Sequence, residues 1–159
     1  MELYTIGVYN STEKEFFNKL LSNGVDTFCD IRQRRGVRGA KYSFVNSIKL
    51  QNKLGELGIK YLYVKELAPT QEIRDLQKEA DKKNKELKSE RQKLGDVFCE
   101  NYNKKILSEF HFQNFIESLK ILSAKKVVLF CVEENHSACH RSLVSEKLKS
   151  EFNFLTHHL

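Results

Sequence analysis

Short apolar segments alternate with amphipathic helical segments along this chain, and that alternation narrows its architecture most. Leu3 to Val8 is β-branched and aromatic and predicts a strand. Thr12 followed by Glu15 has the spacing of a capping box, and Phe16, Phe17, Leu20 and Leu21 form a helical stripe that Gly24 can end. Val25 to Ile31 predicts a second strand, apolar until Asp30. Phe44, Ile48 and Leu54 to Leu57 predict a helix, and Ile59 to Val64 a third strand before Pro69, the only proline. Phe112, Phe115, Ile116, Leu119 and Leu122 give the clearest amphipathic helix. Val127 to Val132 is a fourth strand. A helix with Leu143, Val144, Leu148 and Phe152 follows, and a last strand at Phe154 to His157.

This order predicts a three-layer α/β fold: a mostly parallel sheet of about five strands, helices on both faces and right-handed crossovers. A length of 159 residues fits a single domain over 1–159. No apolar run approaches the roughly 20 residues of a spanning helix, and the first residues do not read as a secretory leader. The four cysteines (Cys29, Cys99, Cys131 and Cys139) are then expected as thiols, and the protein as cytoplasmic.

One stretch interrupts the pattern. Residues 71–93 carry eight Lys or Arg and six Asp or Glu, with only Ile73, Leu76, Ala80 and Leu87 apolar. We read a charged helical insertion at about 70–105, a solvated face with intrahelical ion pairs rather than a binding arm. The net charge of +6 has a different address. Arg32, Arg34, Arg35, Arg38 and Lys41 follow the second strand with no acid among them, which points to a phosphate-bearing partner, a nucleotide or nucleic acid, and no membrane.

Ligands of open α/β sheets bind beyond the carboxyl ends of the strands. Asp30-Ile31-Arg32 and Cys131-Val132-Glu133 end two strands, and Cys139-His140-Arg141-Ser142 opens a helix. A cysteine there has its thiolate favoured by the helix dipole and by neighbouring positive charge. Asp30, Glu133, Cys139 and His140 are the candidate catalytic groups. Arg32, Arg34, Arg35, Arg38, Arg141 and Ser142 are the candidate anion ligands, with Cys131 a further thiol. Cys29, Cys99 and His136 read as structural or solvated. Cys131, Glu133, His136, Cys139 and His140 match no familiar zinc spacing, so neither metal nor cofactor is expected. Two other readings stay open, a non-enzymatic nucleic-acid-binding module and a thiol or sulfur-transfer enzyme.

Thr5-Ile6-Gly7, Asp30-Ile31-Arg32, Glu66-Leu67 and the Cys131-x-Glu133…Cys139-His140-Arg141-Ser142 block together resemble domain-of-unknown-function family 488. The terminal block is the specific part. Val8 and Tyr9 stand where comparable members usually have a histidine and a small residue. The resemblance implies an α/β fold and a shared site, and supplies no reaction. Rhodanese-like domains are more distantly similar through Asp30-Ile31-Arg32 and Phe130-Cys131. Arg141 lies ten positions after Cys131, so their tight anion cradle is not reproduced, and the C-x5-R spacing of cysteine-dependent phosphatases is absent.

Overall fold

The computed structural model describes residues 1–85, 87 and 91–159. The remaining four positions of the charged stretch, 86 and 88–90, lie outside the described residues. Five strands form one sheet: β1 (Glu2–Ile6), β2 (Thr27–Asp30), β3 (Lys60–Tyr63), β4 (Lys126–Phe130) and β5 (Leu155–His158). The order is β3-β2-β4-β1-β5 and every pairing is parallel. The helices are α1 (Glu13–Ser22), α2 (Ser47–Glu56), α3 (Gln71–Asn84), α4 (Asp96–Tyr102), α5 (Phe112–Ile121) and α6 (His140–Phe152). No described helix is long and apolar enough to cross a membrane.

Side chains along β4 alternate between two cores, as the period of two in a strand requires. Val128 and Phe130 join Phe16 and Leu20 of α1 and Leu50 and Leu54 of α2 on one face. Val127 and Leu129 join Ile73, Phe98, Phe115 and Leu148 of α3 to α6 on the other. Helices therefore cover both faces. The predicted capping box of α1 is present, with Thr12 accepting from the Glu15 amide and Glu15 accepting from the Thr12 amide.

The register brings the candidate motifs together. Phe130 is level with Ile6 of β1 on one side and with Asp30 of β2 on the other. Gly7, Ile31 and Cys131 therefore leave the sheet at the same height. The chain leaves β1 and β2 toward the α1 and α2 face, but leaves β4 toward α6 on the opposite face. The carboxyl end of β4 is thus a switch point, where open α/β sheets leave a crevice.

Candidate functional site

The floor of that crevice is built from β4 and the start of α6. After Cys131, the Asn135 side chain accepts from the Ser137 amide and turns the loop. Cys139 then caps α6 in an extended conformation (φ −138°, ψ 143°). Its Sγ lies 3.7 Å from His140 Nδ1, and Cys131 Sγ lies 3.9 Å from the same nitrogen. All three residues are buried. His140 Nε2 is 3.0 Å from the Ile31 carbonyl oxygen. That oxygen only accepts, so Nε2 donates to it and Nδ1 faces both sulfurs. The Tyr102 ring stands 5.5 Å from the imidazole, anchored by its hydroxyl on the Leu67 carbonyl.

The two thiols titrate in opposite directions. Burial works against a charged Cys139. The Cys131 thiol donating to it, His140 beside it and the Arg141 charge outweigh burial and hold Cys139 well below the ordinary thiol value. The same hydrogen bond, with burial, pushes Cys131 well above it. The helix N-terminus favours the same assignment.

A cleft of about 660 Å³ opens over this floor. One wall comes from the loop after β2, with Arg32, Arg34, Arg38 and Tyr42. The other comes from α3 and the segment after it, with Arg74, Lys78, Asp81 and Arg91. Six cations thus face two carboxylates, Asp81 and Glu133. Arg91 ties the insertion to the floor: its guanidinium reaches Asp81 at 2.8 Å, the Ala138 carbonyl at 3.0 Å and Glu133 at 3.9 Å. Among the described residues, Arg32 Nη1, Arg74 Nη1 and Arg91 Nε are buried donors without an acceptor. A buried polar group left unsatisfied costs about 1–3 kcal/mol, so an anion that accepts from them removes a penalty already present.

Seven of the eleven predicted site residues line the cleft: Arg32, Arg34, Arg38, Cys131, Glu133, Cys139 and His140. The other four sit elsewhere. Both Asp30 oxygens are occupied. Oδ1 accepts from the Arg32 amide (3.2 Å) and Nε (2.8 Å), and Oδ2 from Arg32 Nη2 (2.7 Å) and the Tyr61 hydroxyl (2.8 Å). Asp30 is fully buried and orients Arg32 rather than facing the cleft. Arg141 is 1% exposed and donates to the Glu133 and Glu134 carbonyls. Ser142 Oγ donates back to the Cys139 carbonyl at 2.9 Å. The Arg35 guanidinium lies 4.2 Å over the Tyr63 ring.

Four further residues stand apart from the cleft. Lys41 lies 5.1 Å over Tyr42, His136 stacks on His158 at 3.7 Å, Cys29 is in the core and Cys99 is half-buried on α4.

Sequence reasoning missed the second wall. The stretch read as a solvated face does carry exposed pairs, such as Lys78 with Asp75 at 2.6 Å. It also buries Gln77, Asp81 and Arg91. Gln77 Nε2 donates to Asp81 at 2.7 Å and Gln77 Oε1 accepts from the Gly95 amide at 2.9 Å. A signal existed: Ile73, Gln77 and Asp81 are spaced by four, on one helical stripe. A stripe that starts with a buried Ile and continues with polar residues implies a polar interior.

The family described as "Domain of unknown function DUF488" matches residues 12–148. No curated protein and no solved structure matches the chain. The match spans most of the sequence, including the Cys131 to Ser142 block, and the chain belongs to this family.

Proposed function

We propose that this member of the family binds a phosphate-bearing ligand, a nucleotide or a nucleic-acid strand, and acts on it at the Cys139–His140 floor. The observation that carries this is that Arg32, Arg74 and Arg91 line one cleft and that each keeps a guanidinium donor without an acceptor among the described residues. Guanidinium groups match phosphate oxygens in geometry and charge. The volume lies within the usual 300–1,000 Å³ range of small-ligand sites. Tyr9 and Tyr42, with ring centroids 5.3 Å apart, both line the cleft and offer a stacking surface for a base. His140 Nδ1 and Glu133 are the proton-transfer groups, Asp30 orients Arg32, and Arg141 shapes the loop that carries Glu133.

Fluorescence titration of the full chain with mononucleotides and short oligonucleotides, repeated across salt concentrations, tests this reading. Binding should weaken with salt by about one log unit per log unit for each phosphate neutralised. Salt-independent binding, or none, overturns it. Glu133→Gln and His140→Gln should keep most of the affinity and lose turnover of whichever ligand is processed. A pure binding module would show no turnover to lose.

One observation favours a second reading, thiol or sulfur-transfer chemistry: Cys139 opens a helix, beside an imidazole, at the floor of an open cleft. Mass spectrometry showing neither a persulfide nor a thiol adduct at Cys131 or Cys139 rejects it.

A further inference from the structure

Cys131 Sγ, Cys139 Sγ and His140 Nδ1 lie within 4.8 Å of one another, although the three residues sit on a strand end, a helix cap and a helical first turn. A tetrahedral zinc ion bound at about 2.3 Å to sulfur and 2.0–2.1 Å to nitrogen needs its sulfur and nitrogen ligands roughly 3.5 Å apart. The observed separations of 3.7 and 3.9 Å are within a few tenths of an ångström of that value.

The far side of the imidazole supplies an independent argument. Metal-bound histidines commonly donate their other ring N–H to a backbone carbonyl or carboxylate, which fixes the tautomer and the ring plane. Here Nε2 meets the Ile31 carbonyl at 3.0 Å and the Tyr102 ring packs beside the imidazole, so Nδ1 is aimed at the sulfurs before any ligand arrives. Two sulfurs and an imidazole nitrogen form a soft donor set that disfavours magnesium, calcium and manganese and suits zinc.

We propose that Cys131, Cys139 and His140 hold one zinc ion, with its fourth position open to the cleft. Structural zinc sites are closed by four protein ligands, whereas catalytic ones keep three and leave a position for water or substrate. The same three residues line the cleft floor, so the open position is left to the cleft that Arg32 and Arg91 also line. The three-ligand arrangement therefore belongs to the catalytic class. Sequence spacing gave no sign of this site because the ligands are eight residues apart across a loop, with the two adjacent ones on either side of a helix start. The proposal stands without the anion reading. It excludes sulfur transfer, since both sulfurs become ligands, and it leaves proton transfer to Glu133, since the metal takes His140 Nδ1.

The test uses the full chain, purified in reductant without chelator. Elemental mass spectrometry should find about one zinc per chain. Cobalt exchanged for it should give a sulfur-to-cobalt charge-transfer band and strong tetrahedral ligand-field bands. Cys131→Ser and Cys139→Ser should each weaken cobalt binding by at least about 100-fold, beyond the 10–100-fold typical of an outer partner. Cys99→Ser, on the half-buried α4 thiol, should leave it unchanged. If the serine variants do not fold, competition of the unmodified protein against a chromophoric chelator gives the affinity directly. Folded, reduced protein that takes up neither zinc nor cobalt stoichiometrically at micromolar metal overturns the proposal. So does binding that survives both serine substitutions, or copper in place of zinc. Oligonucleotide affinity that persists after the metal proposal fails would leave the anion reading standing, and the reverse outcome would do the opposite.

Discussion

Arg141 donates to the backbone carbonyl of Glu133 across the loop between β4 and α6. The carbonyl it holds presses on β1. A Cβ added to Gly7 would stand 1.9 Å from that oxygen and 3.2 Å from Arg141 Nη2. The Thr5-Ile6-Gly7 motif and the Cys-His-Arg-Ser block are thus two sides of one contact. Glycine permits the approach, the guanidinium fixes the loop, and the loop sets where Cys131, Glu133 and Cys139 stand.

This contact predicts that Gly7→Ala and Arg141→Ala share a phenotype. Alanine at position 7 has to displace backbone, which in a packed site costs about 3 kcal/mol. That corresponds to a fall in Tm of roughly 10 °C for a chain of this size. Arg141→Ala removes a buried fork and leaves two loop carbonyls without their donor, a loss of similar size. Thermal unfolding of both variants is the check. A stable Arg141→Ala variant that has lost only anion affinity would assign Arg141 to the ligand instead.

Asp30 and Arg32 form the second buried contact under the cleft, a bidentate pair sealed by the Tyr61 hydroxyl. Burial and the neighbouring Asp30 push the Tyr61 phenol up to about 12, so it stays a donor throughout the neutral range. Asp30→Asn leaves a buried guanidinium uncompensated, at a cost of about 3–5 kcal/mol. Replacing both partners, as Asp30→Leu with Arg32→Met, should cost less than the sum of the single changes. Urea unfolding of the three variants measures this. A fully stable Asp30→Asn protein would return Asp30 to a catalytic role.

The fold was legible because strands and helices announce themselves locally. Val127 to Phe130 and the Phe112 to Leu119 stripe need no knowledge of the rest of the chain. The strand-end motifs were legible for the same reason, since a parallel sheet delivers its carboxyl ends to one edge. Neighbourhood in sequence misled inside α6. Successive residues on a helix point about 100° apart, so Arg141 and Ser142 turn away from the space that Cys139 and His140 share. The second wall was hidden for another reason. Arg74 and Arg91 belong to a segment whose composition matches a solvated face, and long-range contacts such as those of Arg91 with Ala138 and Glu133 fold it over the floor.

That wall yields a prediction that separates binding from stability. Lys78 is exposed on α3, and Arg74 is half-buried with an Nη1 that has no acceptor among the described residues. Among the described residues, removing Lys78 loses a surface pair with Asp75, and removing Arg74 leaves no acceptor of its Nη1 behind. Arg74→Ala and Lys78→Ala should therefore stay within about 0.5 kcal/mol of the parent in stability. Each should lower the salt slope of oligonucleotide binding by about one unit. Unaltered slopes in both would mean that the insertion does not touch the ligand.

His158 is one source of pH dependence outside the cleft. At the end of β5 it stacks on His136, and its Nδ1 lies 2.8 Å from Thr5 Oγ1. Burial first, then the charges of His136, Arg141 and His157, hold its imidazole below the ordinary value of 6.5. The ring and the Thr5 hydroxyl share a hydrogen bond. A histidine whose folded value is depressed adds stability that is fully present above the unfolded value near 6.5. That stability is lost as pH falls through the lower folded value. Unfolding free energy should therefore decline on acidification below about pH 6.5. His158→Asn, which cannot titrate, should flatten that part of the profile while leaving the alkaline side as it was. Urea unfolding at half-unit pH steps makes the comparison. A decline of equal steepness in both proteins would place the acid sensitivity elsewhere.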